Sequence, residues 1–183
     1  HTLLAARLFG AELYGEYALG ITLVGLLGSI GLLGMDKTVV HFISKFHKDL
    51  QRLQISKTIK EILIITGGWS LFLGILLFIF SERIAIFFDE VGTIFAFRIM
   101  AIAIPALTIT TVLASFTQGF KKMQYKVLVL DILSPGIELL LITVFTVGMK
   151  DFGLPLAYAI SILISLIAVV FFSRNLFRRL YGR

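Results

Sequence analysis

Residues 62–81, ILIITGGWSLFLGILLFIFS, form a run of 20 residues without a charged side chain. A helix rises about 1.5 Å per residue, so such a run reaches across the roughly 30 Å hydrocarbon core of a bilayer. The whole chain has the same character, because 58% of its 183 residues are apolar and its mean hydropathy is +0.98. Soluble domains contain only about 45–50% apolar residues. The sequence therefore predicts an all-α integral membrane protein.

Five apolar runs are long enough to span a bilayer, and only the fourth of them contains charged side chains. Pro105 lies inside the third run and predicts a bend, whereas Pro155 stands in the first turn of the fifth, where proline is tolerated. An apolar stub at residues 2–10 precedes the five runs, and we interpret it as the end of one further span. We therefore expect a fragment of a longer protein, forming a single transmembrane domain over residues 1–183. The five runs cover residues 17–35, 62–81, 99–120, 127–149 and 152–173.

The basic residues are unevenly divided between the two sides of these spans. Thirteen of the 17 Lys and Arg fall in residues 36–61, 121–126 and 174–183. Because positively charged loops stay in the cytoplasm, we predict that these three segments are cytoplasmic. The basic residues of these cytoplasmic segments account for the pI near 9.7. We therefore expect no nucleic-acid partner.

Residue content also argues against metal, cofactor and enzyme chemistry. The chain has no cysteine, which excludes disulfides and thiolate metal sites. His41 and His47 are six residues apart, a spacing that places them on different faces of a helix. No P-loop or zinc-protease pattern occurs in the sequence. We therefore expect neither a metal nor a cofactor, and no catalytic residue.

An apolar stripe runs through the first cytoplasmic segment, with basic residues between its members. Its spacings of four and three are those of one helix face. We interpret it as a continuation of the first full span that lies along the membrane interface, in preference to a helix that binds a partner. The stripe consists of Val39, Ile43, Phe46, Leu50 and Leu53.

Glycines recur every three residues at the end of the first full span, in GLLGSIGLLG at residues 25–34. Glycine lets helix backbones approach closely in lipid, and it also permits bending. Close packing and a flexing helix therefore both remain open.

The fourth span contains two carboxylates, in LDILSPGIELLL at residues 130–141. If its helix begins at Val127, Glu138 lies about 16 Å into the hydrocarbon core, close to the midplane. Asp131 is almost two turns earlier, so we expect both carboxylates on one face of a helix kinked at Pro135 and Gly136. A charge exposed to lipid costs several kcal/mol, so this acidic stripe should face protein or a water-filled cavity.

Two interpretations remain open for Glu138. The first is a structural ion pair, with Arg98 at the outer end of the preceding span as its partner. The second is a place in a hydrated transport path near mid-membrane. There, protonation of Glu138 or cation binding would help a carrier switch between its two faces.

Residues 8–46, LFGAELYGEYALGITLVGLLGSIGLLGMDKTVVHFISKF, resemble the N-terminal signature of polysaccharide flippases. These belong to the multidrug/oligosaccharidyl-lipid/polysaccharide exporter superfamily. In the signature, an outer loop with a G-x-x-x-Y-G-x-Y pattern leads into a span that ends with a glycine, a hydrophobic residue and an aspartate. Residues 114–125, ASFTQGFKKMQY, resemble the family's Q-G-x-x-[RK] turn. The corresponding signature residues here are Gly10, Tyr14, Gly15, Tyr17, Gly34 and Asp36.

The resemblance implies two similar six-helix lobes around a central cavity that work by alternating access in the plasma membrane. This chain would be most of the first lobe. The implied partners are a polyprenyl-linked oligosaccharide, membrane lipid, and a coupling proton or sodium ion. A drug/cation antiporter and a peptidoglycan lipid-precursor flippase of the same superfamily are alternatives, and a membrane-embedded glycan-processing enzyme is a third.

The chain departs from the family in one respect that bears on its site. Family members often carry Arg or Lys in the cavity. Here the fourth span, which is the fifth helix of the lobe when the stub is counted, presents two carboxylates. This difference favours contact with a cation over contact with an anionic glycan. The candidate residues for the transport path or coupling are Glu138, Asp131, Arg98 and Asp36. The candidate helix-bending residues are Pro105, Pro135 and Gly136.

Overall fold

A computed structural model describes residues 10–48, 52–90, 92–120, 123–145 and 153–181. Apart from short turns, all of these residues are helical. The stub at 2–9, the predicted span end at 146–149 and the last residues of the tail lie outside the described residues. The helices are α1 (Ala11–Leu32), α2 (Met35–Lys48), α3 (Arg52–Phe87), α4 (Thr93–Ala101), α5 (Ala103–Gly119), α6 (Met123–Val127), a π-helical segment (Leu128–Leu133), α7 (Ser134–Phe145) and α8 (Gly153–Tyr181).

Within the described ranges, four helical stretches are long and apolar enough to cross a membrane, and the bent pair α4–α5 makes a fifth if it counts as one span. The predicted all-α membrane class is therefore confirmed. The four stretches are Leu13–Leu32, Leu53–Phe87, Met123–Phe145 and Gly153–Arg179.

Several helices extend beyond the spans predicted from hydropathy, and α3 and α8 do so furthest. α3 has 36 residues, or about 54 Å, which exceeds the hydrocarbon thickness. Residues 52–61, expected in a loop, form its first turns, where Lys57 and Glu61 make an exposed pair one turn apart. α8 likewise extends to Tyr181, so the described part of the predicted cytoplasmic tail is helical.

α5 is the central helix of the bundle, with most of its side chains buried against α1, α2, α3 and α8. Most of its buried hydroxyls are satisfied locally, although the Ser115 hydroxyl has no hydrogen-bond partner among the described residues. Thr108 and Thr110 donate to the carbonyls of Ile104 and Ala106 at 2.9 and 2.7 Å. Such bonds let a polar residue face other helices without requiring a partner there. Small, locally satisfied side chains therefore allow several helices to pack around α5.

α2 packs against the bundle and does not continue the first span. The chain turns at Leu33 and Gly34, which have φ angles of +50° and +70°, before α2 begins. The buried side chains of Val39 and Ile43 then contact Phe116 of α5 and its neighbours. The expected helix along the membrane interface is thus wrong, because protein covers these two residues of the stripe. Of the rest of the stripe, Leu53 is exposed on α3, and the side chain of Phe46 and all of Leu50 lie outside the described residues.

Two glycines of the GLLGSIGLLG stretch have different roles, and flexing of α1 stays a prediction. Gly31 is buried, and a Cβ there would stand only 3.1 Å from Ser70 Cβ and 3.2 Å from Thr108 Oγ1. Glycine therefore allows α1 to pack closely on α3 and α5 here, since a larger residue would displace these neighbours by a few tenths of an ångström. Gly34, in contrast, occupies the left-handed turn between α1 and α2.

The third predicted span bends by 40° between α4 and α5. Pro105 has no N–H, so it cannot bond the carbonyl of Ala101 four residues earlier. Gly74 of α3 packs at this point, since a Cβ there would lie 2.9 Å from the Ala101 oxygen. The bend thus combines a proline that releases a carbonyl with a glycine that lets α3 approach it.

A π-helical segment interrupts the fourth predicted span. The N–H of Ser134 donates to the carbonyl of Val129, five residues back. Pro135 follows immediately and cannot bond the carbonyl of Asp131, which is the bond a regular α-helix would make there. Gly136 is exposed, with open space around its Cα.

Candidate functional site

The carboxylate of Glu138 is held by a hydroxyl group from another span. Glu138 on α7 is 6% exposed and Tyr17 on α1 is 2% exposed. The Tyr17 O–H donates a hydrogen bond to Glu138 Oε1. A polar contact between two nearly inaccessible groups therefore joins α1 to α7.

Tyr158 of α8 adds a third span to this contact. Its buried ring packs edge-on against Tyr17, with centroids 6.4 Å apart and an interplanar angle of 77°. Tyr14, one turn earlier on α1, lies 6.2 Å from Tyr17 in a tilted arrangement. Tyr17, Glu138 and Tyr158 are called the tyrosine–glutamate cluster below.

The tyrosine–glutamate cluster lies toward the end of the bundle predicted to face outward. Tyr17 and Tyr158 follow the starts of α1 and α8 by six and five residues, and Glu138 precedes the end of α7 by seven. At 1.5 Å per residue these separations are about 8–10 Å. The continuous stretch Met123–Phe145, formed by α6, the π-helical segment and α7, begins four residues before the start assumed from sequence, which places Glu138 beyond mid-depth.

Glu138 does not form the ion pair considered for it. In the described ranges, its one hydrogen-bond partner is Tyr17, and no basic side chain lies within ion-pair distance. Arg98 instead donates from Nε to Ser81 Oγ at 3.2 Å and lies over the Phe78 ring. Among the described residues, Glu138 therefore has no fixed cationic partner, and its place in a transport path stays a prediction.

Glu138 is a buried carboxylate whose one hydrogen-bond donor among the described residues is a phenol. An ionised group with few hydrogen bonds is expensive in an apolar interior. A proton removes that charge, and a sodium ion compensates it. Either event changes the interaction with Tyr17, because the Glu138 oxygen becomes a weaker acceptor once its charge is neutralised.

Asp131 and Glu138 do not share a face, so the expected acidic stripe is wrong. Asp131 is exposed, whereas Glu138 is buried. Seven residues of regular α-helix would align the two side chains. Residues Leu128–Leu133 are π-helical, however, and the larger number of residues per turn shifts the phase between them. The site therefore has one buried and one exposed carboxylate.

The remaining acidic candidate lies at the opposite end of α1. Asp36 is in the first turn of α2, where a carboxylate interacts favourably with the positive end of the helix dipole. The structure thus separates Glu138, Asp131, Arg98 and Asp36 into four different places.

Sequence reasoning missed the two buried tyrosines as site residues. Tyr17 was noted only within the family signature, and Tyr158 was not singled out. A signal was present, because a tyrosine inside an apolar run needs a hydrogen-bond partner when it is buried. Glu138, a carboxylate inside another apolar run, needs a partner for the same reason.

These spans define a multi-pass α-helical membrane protein with a polar cluster between three of its helices. The family model described as "Polysaccharide biosynthesis protein" matches residues 2–182. The chain belongs to this family, and the resemblance seen in residues 8–46 and 114–125 is confirmed. No curated protein and no solved structure matches the chain.

Proposed function

We propose that the protein moves a polyprenyl-linked oligosaccharide or polysaccharide precursor across the plasma membrane by alternating access, without covalent chemistry. The observation that carries this proposal is the family match over residues 2–182. The apolar spans support it, because a sugar-bearing phosphate headgroup cannot cross hydrocarbon without a protein path.

In this proposal Glu138 is the coupling group. Binding of a proton or a sodium ion weakens the contact with Tyr17, and α1 and α7 then become free to separate at the predicted outer end. A ligand shifts a conformational equilibrium only by its difference in affinity between the two states. The bond between Tyr17 and Glu138 supplies such a difference, since it exists in one state and is broken in the other.

Asp131 is proposed to contact the hydrated substrate path. It is exposed within the stretch Met123–Phe145, and a carboxylate facing lipid at that depth is costly. A position facing water or the rest of the protein removes this cost. Carboxylate oxygens accept hydrogen bonds from hydroxyl groups, so sugar hydroxyls are suitable partners there.

The substrate class is tested by deleting the full-length gene and complementing it. We expect lipid-linked precursor to accumulate inside the cell and surface polysaccharide to disappear, with wall synthesis and drug tolerance unchanged. Altered drug tolerance with intact surface glycan would indicate a drug/cation antiporter. Arrested wall synthesis would indicate a peptidoglycan-precursor flippase, and an altered glycan without accumulation would indicate a glycan-processing enzyme.

A further inference from the structure

Arg98 is fixed in orientation by two residues of α3. Its Nε donates to Ser81 Oγ at 3.2 Å, and its Cζ lies 5.7 Å from the centroid of the Phe78 ring. Ser81 is fully buried, and its hydroxyl donates to the Phe78 carbonyl at 2.9 Å. Because the Ser81 proton is used by the backbone, a lone pair is available for Arg98. A hydrogen bond and a cation–π contact therefore jointly fix the orientation of the guanidinium.

Most of the donors of Arg98 remain available. A guanidinium carries five N–H donors, and Ser81 accepts one of them. Among the residues that the structure describes, no carboxylate forms an ion pair with Arg98. A half-buried arginine in a membrane-spanning element requires either water or an anion for its other donors.

The guanidinium lies beside a surface that faces away from the bundle. The Phe78 ring beneath it is 51% exposed. Arg98 and Ser81 are five and six residues from the helix ends at Thr93 and Phe87, or about 8–9 Å. An arginine side chain at this depth extends to the headgroup region. Arg83, whose guanidinium lies 5.9 Å from the Phe80 ring, belongs to the same end of α3.

We propose that Arg98 binds the phosphate group of a lipid at the end of the bundle predicted to face outward. With Nε held by Ser81, the two terminal nitrogens form a preoriented fork, which matches two phosphate oxygens. Phospholipid headgroups and phosphorylated polyprenyl carriers both present this group beside an apolar chain, for which the exposed Phe78 ring is a suitable contact. The proposal does not depend on transport activity.

Native mass spectrometry of the purified full-length protein tests this site. The protein in detergent is incubated separately with undecaprenyl phosphate, phosphatidylglycerol and undecaprenol, which lacks a phosphate. We expect Arg98→Gln to weaken retention of the bound phosphate lipid about tenfold, as for loss of a charge-assisted hydrogen bond, without affecting undecaprenol. Arg83→Gln is the matched control, since this exposed arginine lacks a serine anchor, and it should retain lipid normally.

The three lipids distinguish the source of the phosphate. Stronger retention of undecaprenyl phosphate identifies the carrier, and equal retention of both phosphate lipids identifies a general headgroup site. Unchanged retention in Arg98→Gln, or an equal loss in Arg83→Gln, would overturn the proposal. If Arg98→Gln does not fold, the proposal is tested with Arg98→Lys and Ser81→Ala. Arg98→Lys replaces the guanidinium fork with an ammonium group, and Ser81→Ala removes the hydroxyl that orients the fork. Both variants keep a positive charge at position 98. Retention should then fall in both, and wild-type retention in both would refute the site.

Discussion

The hydroxyl of Tyr17 donates to the carboxylate of Glu138 and thereby joins the first and fourth spans predicted from the sequence. Both side chains are almost completely buried, and Tyr158 of the last span packs against the same tyrosine ring. In the proposed mechanism, the contact is therefore a point where a binding event at Glu138 affects three helices. This property makes it a candidate switch for a carrier that must alternate between two shapes.

Replacing Tyr17 with Phe tests how much this contact contributes to the stability of the protein. The ring packing is retained, but Glu138 loses its hydrogen-bond donor. We expect the free energy of unfolding to fall by about 1–3 kcal/mol, as for a buried polar group left unsatisfied. Chemical unfolding in detergent measures this change. Tyr14→Phe is the control and should have little effect, because Tyr14 is only partly buried. Equal stability of Tyr17→Phe and wild type would contradict the contact.

The close approach of α3 to the bend at Ala101 predicts an asymmetry between two glycines of the same helix. A Cβ at Gly74 would lie 2.9 Å from the Ala101 oxygen, whereas a Cβ at Gly68 meets nothing within 4 Å. Gly74→Ala should therefore destabilise the protein by about 1–3 kcal/mol through overpacking. Gly68→Ala should be neutral or stabilising, since alanine is the better helix former. Thermal unfolding in detergent compares the two, and equal midpoints would refute the packing at the bend.

The predicted topology is tested with single cysteines in this cysteine-free chain. Gln54 and Gln124 are exposed on α3 and α6, at the end predicted to be cytoplasmic. Asp151, outside the described residues, is predicted to lie on the other side. An impermeant thiol reagent added to intact cells should label only the cysteine at position 151. Labelling at position 54 or 124 from outside would reverse the assignment.

Hydropathy was sufficient to predict the membrane class, because several apolar runs of about 20 residues in one chain are rarely found outside membrane spans. It did not predict helix ends, since α3 begins with charged and polar residues that remain helical in water beyond the span. It also failed for α2, where Val39 and Ile43 formed a clear stripe. An apolar stripe specifies that a face is covered, but it does not specify whether lipid or α5 covers it.

The candidate site was only partly predictable, because a local sequence pattern does not specify how helices pack against each other. The cost of burying Glu138 is evident from its place in an apolar run, so the residue was found. Its alignment with Asp131 was inferred from uniform α-helical geometry, and the π-helical segment before Pro135 invalidates that spacing. Its partner Tyr17 lies far away in sequence, and no periodic pattern connects the two positions. Long-range hydrogen bonds of this kind follow from the packing of helices.

The most direct test of the coupling role is transport by the full-length protein carrying Glu138→Gln. Glutamine is nearly isosteric and still accepts a hydrogen bond from Tyr17, so membrane yield should stay close to normal. Without an ionisable group at this position, we expect flipping of a fluorescent polyprenyl-linked oligosaccharide in proteoliposomes to stop, or to lose its dependence on the ion gradient. Asp131→Asn, a matched change on the same predicted span, should leave gradient dependence intact. Flipping by Glu138→Gln at the wild-type rate with unchanged gradient dependence would contradict the account.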